Sequence, residues 1–172
     1  LEDDSTTGFI RPYEDGYSFM ALLPKEGISI EDYISHLSAE KLIGLVENVS
    51  TDYDVDAAIP KFKSEYSIEL KDTLQNMGMT DAFDEEQADF CGIGTSDNGN
   101  IYINMVLHKT YIEVDEQGTK AGASTVVGMV ETMSLYEPEI KTVHLDRPFV
   151  YAIIDTETQM PIFLGVTESV EE

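Results

Sequence analysis

The chain has 172 residues, of which 42% are hydrophobic and 26% are charged, a composition typical of one globular domain or of part of a larger one. Its 34 acidic residues outnumber 10 Lys and Arg, so the formal net charge of -24 excludes a general nucleic-acid role and argues against binding to anionic membranes, because both need cationic surface. No apolar run is long enough to span a bilayer. The sequence begins Leu1-Glu2-Asp3-Asp4, with neither an initiating Met nor a basic-then-apolar signal segment, so we expect any targeting segment to lie outside this sequence.

The first third of the chain predicts a hairpin followed by two short helices. Residues 8–13 and 17–23 are apolar runs joined by Glu14-Asp15-Gly16, and Asp-Gly between two such runs is typical of a tight hairpin turn. Apolar residues then recur at helical spacing in residues 30–37 and 42–46, with Ser38 as the predicted cap of the second helix.

The middle third predicts a strand, a helix, a loop and a second strand. Residues 52–66 alternate between apolar and polar, with Pro60 marking an edge or a crossing point. Ser67 is the predicted cap of the following helix, and Gly78 is its predicted end. The acidic residues 81–100 predict a loop, and residues 101–114 predict a long strand.

The last third adds a short strand at residues 141–145 and a hairpin formed by residues 149–154 and 161–166. Strands dominate, the helices are short, and no segment repeats at a fixed period. The predicted class is therefore α+β with mostly antiparallel β-sheets and a few short helices.

The side chains that usually carry chemistry form no recognisable site. His36, His108 and His144 are scattered, and neither a nucleophile elbow nor a phosphate-binding glycine loop occurs. The single cysteine, Cys91, permits no internal disulfide, and its apolar neighbours predict that it is buried. We therefore expect no enzyme activity, no metal and no cofactor.

Residues 114–130 resemble a loop in composition and a strand in pattern. One alternating face carries small side chains, and glycines at 118, 122 and 128 would weaken a permanent strand. The pattern predicts a segment that is an exposed loop in one state and a strand in another. The small-side-chain face begins with Thr119, Ala121, Ala123 and Thr125.

Four separated segments, which occur in the same order as in the family, resemble the C-terminal part of the serpins, the serine protease inhibitors. The first is IPKFK at residues 59–63 with LKDTLQNMGM at 70–79, the second LHKTYIEVDEQGTKAGAST at 107–125, the third DRPFVY at 146–151, and the last PIFLGV at 161–166. The resemblance implies that residues 1–172 are the C-terminal portion of one serpin domain whose N-terminal half is absent. Residues 116–142 match the reactive-centre loop, with the hinge at 116–125.

The resemblance also implies a suicide mechanism. A protease cleaves the loop and forms an acyl-enzyme, and the loop's N-terminal part then inserts into a sheet as a new strand. The matching hinge positions are Glu116, Gly118, Thr119, Ala121, Ala123 and Thr125. His108 matches a position with a structural gating role rather than a catalytic one.

The scissile bond has three candidates. Family spacing favours Thr132-Met133, side-chain chemistry favours Met133-Ser134, and the length of the loop also allows Leu135-Tyr136. No Lys or Arg lies between Lys120 and Lys141. We therefore expect a serine protease with an elastase-like or chymotrypsin-like pocket as the partner.

The missing half affects every functional expectation. The strands that would receive the loop are absent, so we expect the isolated chain to be inactive and to associate with a missing N-terminal portion or with itself through exposed strand edges. The alternative is a non-inhibitory or truncated serpin-like binding module. The family implies an extracellular or cell-surface location, with neither nucleic acid nor membrane as a partner.

Overall fold

A computed structural model describes residues 1–14, 16–115, 118–119 and 139–170. The chain forms two compact units, residues 1–62 with 113–172 and residues 63–112. The strands are β1 (Thr6–Pro12), β2 (Tyr17–Pro24), β3 (Tyr53–Ala58), β4 (Phe62–Glu69), β5 (Leu107–Asp115), β6 (Gly118–Thr119), β7 (Glu139–His144), β8 (Phe149–Asp155) and β9 (Pro161–Thr167). The α-helices are α1 (Ile30–Ser35), α2 (Ala39–Glu47) and α3 (Lys71–Asn76), and a 3-10 helix covers Asp81–Phe83.

The first unit is built on a four-stranded antiparallel sheet of order β1-β2-β8-β9. Both predicted hairpins, β1-β2 and β8-β9, are confirmed, and Ala21 lies opposite both Phe9 and Tyr151. The inner strands β2 and β8 are buried almost throughout, because each has a neighbour on both sides and side chains packed on both faces.

Each face of this sheet carries its own part of the core. On one face, Met20, Leu22, Val150 and Ala152 pack with α1 and α2, whose buried side chains include Tyr33. On the other face lies an aromatic cluster, in which the Tyr151 ring lies 4.9 Å from Phe62 and 6.1 Å from both Phe149 and Phe163 between ring centroids. The T-shaped Phe62–Phe149 pair, at 5.7 Å, completes the cluster.

Serine caps begin both helices of the first unit. Ser38 Oγ accepts a hydrogen bond from Lys41 N at 3.2 Å, which confirms the predicted cap, and Ser29 Oγ accepts one from Asp32 N at 3.1 Å. Each cap satisfies a backbone N–H that has no partner inside its helix.

The remaining sheet that lies wholly in the first unit has two strands, β3 and β7, and they are parallel. The sheets are mostly antiparallel as predicted, but this pair joins strands far apart in sequence, and no local pattern indicated it. Pro60 lies between β3 and β4, so the segment predicted as one strand is two.

The second unit contains most of β4 and β5 together with α3, and it corrects two predictions. Ser67 is not a helix cap, because β4 continues to Glu69 and Glu69 Oε1 accepts the hydrogen bonds of Lys71 N, at 3.0 Å, and Val106 N, at 3.1 Å. The long strand begins at Leu107 rather than at residue 101. Before it, the backbone is engaged elsewhere, with Ile103 N donating to the Ala82 carbonyl at 2.9 Å.

Cys91 is exposed, so the prediction that it is buried is wrong. Its backbone N–H donates to Asp89 Oδ1 at 3.2 Å within an exposed turn, and the hydrogen bond from its thiol to Asp89 raises the pKa of Cys91. Across the described parts of the chain, every helix is too short or too polar to cross a membrane.

Candidate functional site

The first part of the candidate site is the start of the predicted hinge. Gly118 and Thr119 form β6, which runs antiparallel to the end of β5, so that Val114 lies opposite Thr119 and Asp115 opposite Gly118. The chain that leaves β5 therefore turns back along it.

The two faces of β5 differ in burial. Ile112 and Val114 are buried on one face, at 5% and 7% exposure, whereas Tyr111 on the other face is 53% exposed. By the alternation of a strand, His108 and Thr110 share the face of Ile112 and Val114. The His108 side chain is exposed, and within the described ranges that side chain makes no hydrogen bond.

Several predicted site residues lie outside the described residues. They include the three at the candidate reactive bond and four of the six hinge positions. Those residues are Thr132, Met133 and Ser134, and Glu116, Ala121, Ala123 and Thr125. At the far end of the predicted loop, residues 139–142 belong to β7.

The second part of the candidate site is β7, the strand that follows the loop. It pairs in parallel with β3, so that Lys141 lies opposite Val55 and His144 opposite Ala58. Its only buried side chain is Val143, at 3% exposure, and Ile140 is 67% exposed. Strand β7 therefore contributes little apolar burial to the core.

A lysine supplies contacts that the apolar side chains of β7 do not. Lys141 Nζ lies 2.6 Å from Glu2 Oε2 and 4.0 Å from the centroid of the Tyr53 ring. The hydrogen bond from Lys141 lowers the pKa of Glu2, and the same bond raises the pKa of Lys141. Glu2 also lies 3.7 Å from Lys25 Nζ. Sequence reasoning missed the contact between Lys141 and Glu2, because 139 positions separate these two residues.

A weaker contact lies at the other end of β7. His144 Nε2 is 3.5 Å from Asp56 Oδ2 on the neighbouring strand, and both side chains are about half exposed or more. This pair is ionic only when His144 is protonated. Among the residues that the structure describes, no three His, Cys, Asp or Glu side chains group closely enough to hold a metal ion.

Comparison with known proteins assigns the family. The family model Serpin (serine protease inhibitor) matches residues 2–169. An uncharacterized serpin-like protein of Thermococcus kodakarensis is 37% identical over 166 residues, which are 96% of this chain and 38% of that protein.

Among solved structures, the thermophilic serpin tengpin in its native state is 49% identical, with a TM-score of 0.77 over 98% of this chain and 43% of that one. Tengpin in its latent state is 41% identical, with a TM-score of 0.71 over 99% of this chain and 44% of that one. The chain thus spans about two fifths of the length of these relatives. Both the resemblance seen in the sequence and the α+β class are confirmed, and the chain belongs to the serpin family.

Proposed function

We propose that this chain is the C-terminal portion of a serpin that inhibits a serine protease by a suicide mechanism. The protease cleaves the loop at residues 116–142, is trapped as an acyl-enzyme, and is carried along as the hinge inserts as a new strand beside β5. Membership of an inhibitor family supports the activity. The observation that carries the mechanism is the antiparallel pairing of β6 with β5.

The register of that pair supports the hinge assignment. Each step back along β5 from Val114 meets one step forward from Thr119. Continued in this way, Ala121 would lie opposite Ile112, Ala123 opposite Thr110, and Thr125 opposite His108. The small hinge side chains would therefore lie on the face of β5 that buries Ile112 and Val114, where larger side chains would clash.

The same register accounts for Lys120, the one basic residue in the hinge. Lys120 would lie opposite Glu113, and opposite charges directly across an antiparallel pair stabilise the pairing. A strand of this length makes roughly a dozen ladder hydrogen bonds of about 1 kcal/mol each, so insertion gains on the order of 10 kcal/mol. That gain is large enough to distort a trapped protease.

The target and the location follow from the loop and the family. We infer a protease with an elastase-like or chymotrypsin-like pocket and a scissile bond at Thr132, Met133 or Ser134, since the loop lacks Lys and Arg between Lys120 and Lys141. We infer an extracellular or cell-surface location from the family. Because tengpin has been solved in both native and latent states, we also infer that this protein has more than one stable state.

The chain alone does not carry the activity in this proposal. It spans about two fifths of its relatives, and the remaining strands of the receiving sheet would come from an N-terminal portion. We expect the isolated 172-residue chain to form no complex with a protease, and to associate with itself or with that portion. Size-exclusion chromatography with light scattering tests the association, and a stable monomer would contradict it.

The central experiment mixes the full-length protein with pancreatic elastase or chymotrypsin and resolves the products by SDS gel. We expect a complex that survives SDS, and its mass minus that of the protease locates the cleaved bond. Clean cleavage without a complex would instead favour a non-inhibitory, serpin-like binding module.

A matched pair of hinge variants tests the register. Ala121→Arg places a long charged side chain on the face of Ile112, so we expect cleavage with at least a tenfold loss of complex. Lys120→Arg introduces arginine on the opposite face and keeps the charge, so the complex is expected to remain. Equal loss of complex in both variants would contradict the proposed register.

A further inference from the structure

The turn before β1 is held in one conformation by side-chain hydrogen bonds. Asp3 Oδ1 accepts hydrogen bonds from Ser5 N and Thr6 N, both at 2.7 Å, and from Ser5 Oγ at 2.9 Å. Glu2 forms an isolated β-bridge with Thr7 in β1. The carboxylate of Glu2 is therefore presented from a backbone that is fixed to the four-stranded sheet.

Lys141 connects this turn with two other elements. Its ammonium contacts the Glu2 carboxylate and lies over the Tyr53 ring, so one side chain on β7 binds both β3 and the turn that precedes β1. By contrast, among the residues that the structure describes, the charged partner of His144 is Asp56 on β3. Lys25 Nζ also lies 3.7 Å from Glu2 Oε1, but Lys141 makes the shorter contact, at 2.6 Å to Glu2 Oε2, and it is the cation that belongs to β7.

The remaining attachments of β7 are modest. Among the described strands its one neighbour is β3, and its one buried side chain is Val143. The residue that follows the strand, Leu145, is buried and donates its N–H to the Ala58 carbonyl at 2.9 Å. Val143 and Leu145 lie toward the end of β7 that is farther from the loop, whereas Lys141 is the third residue from its start.

The position of β7 matters because the loop is tethered at both ends. Strand β6 already lies against β5, and β7 is the attachment on the other side of residues 120–138. Cleavage frees the inserting segment from β7 at once. An uncleaved loop can extend far along β5 only if β7 detaches.

We propose that Lys141 is a positioning residue that keeps β7 attached, through Glu2 and Tyr53, and thereby keeps the uncleaved loop available to a protease. This inference rests on the proposed function, because it concerns the same loop. Its direct consequence, the attachment of β7, is measurable without any protease.

Hydrogen exchange of the full-length protein, followed by mass spectrometry of peptides covering residues 139–144, tests the attachment. In Lys141→Met, which keeps the length of the side chain but removes its charge, we expect β7 amides to exchange about 5-fold faster, the size expected of one exposed ion pair with a cation–π contact. Lys141→Arg is expected to restore protection to within about twofold, because arginine keeps both contacts.

Lys41→Met is the matched control. Lys41 Nζ lies 3.3 Å from Asp3 Oδ2 and 2.7 Å from Ser5 Oγ on the same turn, and neither contact involves β7. Exchange in β7 is expected to stay unchanged in this variant. Equal exchange in wild type and Lys141→Met would overturn the proposal, and so would faster exchange in Lys41→Met or no rescue by arginine.

A second measurement joins the attachment to function. We expect uncleaved Lys141→Met to lose inhibitory activity on incubation about 5-fold faster than wild type, with mass spectrometry showing an intact chain. If wild type never forms a protease complex, the proposed function fails, while the exchange result still decides the role of Lys141. Faster β7 exchange with no faster loss of inhibition would overturn the link to the loop.

Discussion

Strands β8 and β5 illustrate two ways in which a strand is used in this protein. In β8, the six residues from Phe149 to Ile154 are all buried, and the strand pairs along most of its length with β2 on one side and, with an irregularity at Ile153–Ile154, with β9 on the other. In β5, Ile112 and Val114 are the buried residues, and its pairing with β6 covers two residue pairs. A strand covered on both faces is a permanent part of the core, whereas β5 is the strand beside which the proposed insertion would add a new one.

The largest effect is expected from removing a ring inside β8. Phe149 is fully buried and contacts Phe62 and Tyr151, so Phe149→Ala leaves a cavity and is expected to lower the free energy of unfolding by about 3–5 kcal/mol. Urea unfolding of the purified protein measures the change.

A side-chain truncation in β5 is the counterpart of Phe149→Ala. Leu107 is 49% exposed, so Leu107→Ala is expected to cost less than about 1 kcal/mol, since an exposed side chain loses little burial. Similar costs at the two positions would mean that β5 is as firmly built into the core as β8.

Two glycines compare crowded and open surroundings through the addition of a single methyl group. A Cβ on Gly8 in β1 would run into the Ala21 carbonyl oxygen of β2, a backbone atom that cannot swing aside, so Gly8→Ala is expected to cost about 1–3 kcal/mol. Gly44 in α2 has open space around it, and Gly44→Ala is expected to stabilise the protein by up to about 1 kcal/mol. Thermal unfolding of both variants should shift in opposite directions, and a shared direction would contradict the packing of β1 on β2.

The smallest effect concerns the turn between β8 and β9. Asp155 Oδ1 accepts hydrogen bonds from Thr158 N at 2.7 Å and Thr158 Oγ1 at 2.8 Å, and these bonds lower the pKa of Asp155. Since the pKa is lower in the folded state, the ionised carboxylate stabilises the fold above its unfolded pKa of about 4, and this contribution is lost as pH falls through the folded pKa.

Asp155→Ala is therefore expected to lower the urea midpoint slightly at pH 7, and the difference from wild type should shrink as the pH falls below about 4. Urea titrations at a series of pH values measure it. A difference that grows on acidification would show that the turn is held by contacts other than the carboxylate.

Local patterns predicted the local parts of the fold. The hairpins β1-β2 and β8-β9 and the Ser38 cap each depend on residues close in sequence, and each was found. Ser67 is not a helix cap, because the Glu69 side chain accepts the hydrogen bond of Lys71 N at the start of α3. The same side chain also accepts a hydrogen bond from Val106 N, which is distant in sequence. The serpin resemblance came from motifs rather than from periodicity.

Non-local contacts near the candidate site could not be predicted in this way. The parallel pairing of β3 with β7 and the contact between Lys141 and Glu2 join segments that share no local pattern. Charge counts gave no signal for Lys141 either, because acidic residues are abundant along the whole sequence and any of them was an equally good partner.

The place where the predicted loop joins the ladder of β3 and β7 has a mechanical consequence. A pull on the start of β7 would enter the strand at Glu139, which lies opposite Tyr53 at the first rung of the ladder, so a pull directed away from β3 would unzip the pair one rung at a time rather than shear all six at once. Resistance to unzipping depends on the first rungs alone. Lys141 lies at the third rung, and its ammonium contacts the Tyr53 ring at the first rung. Lys141 therefore resists separation of the rungs that a peeling force would open first.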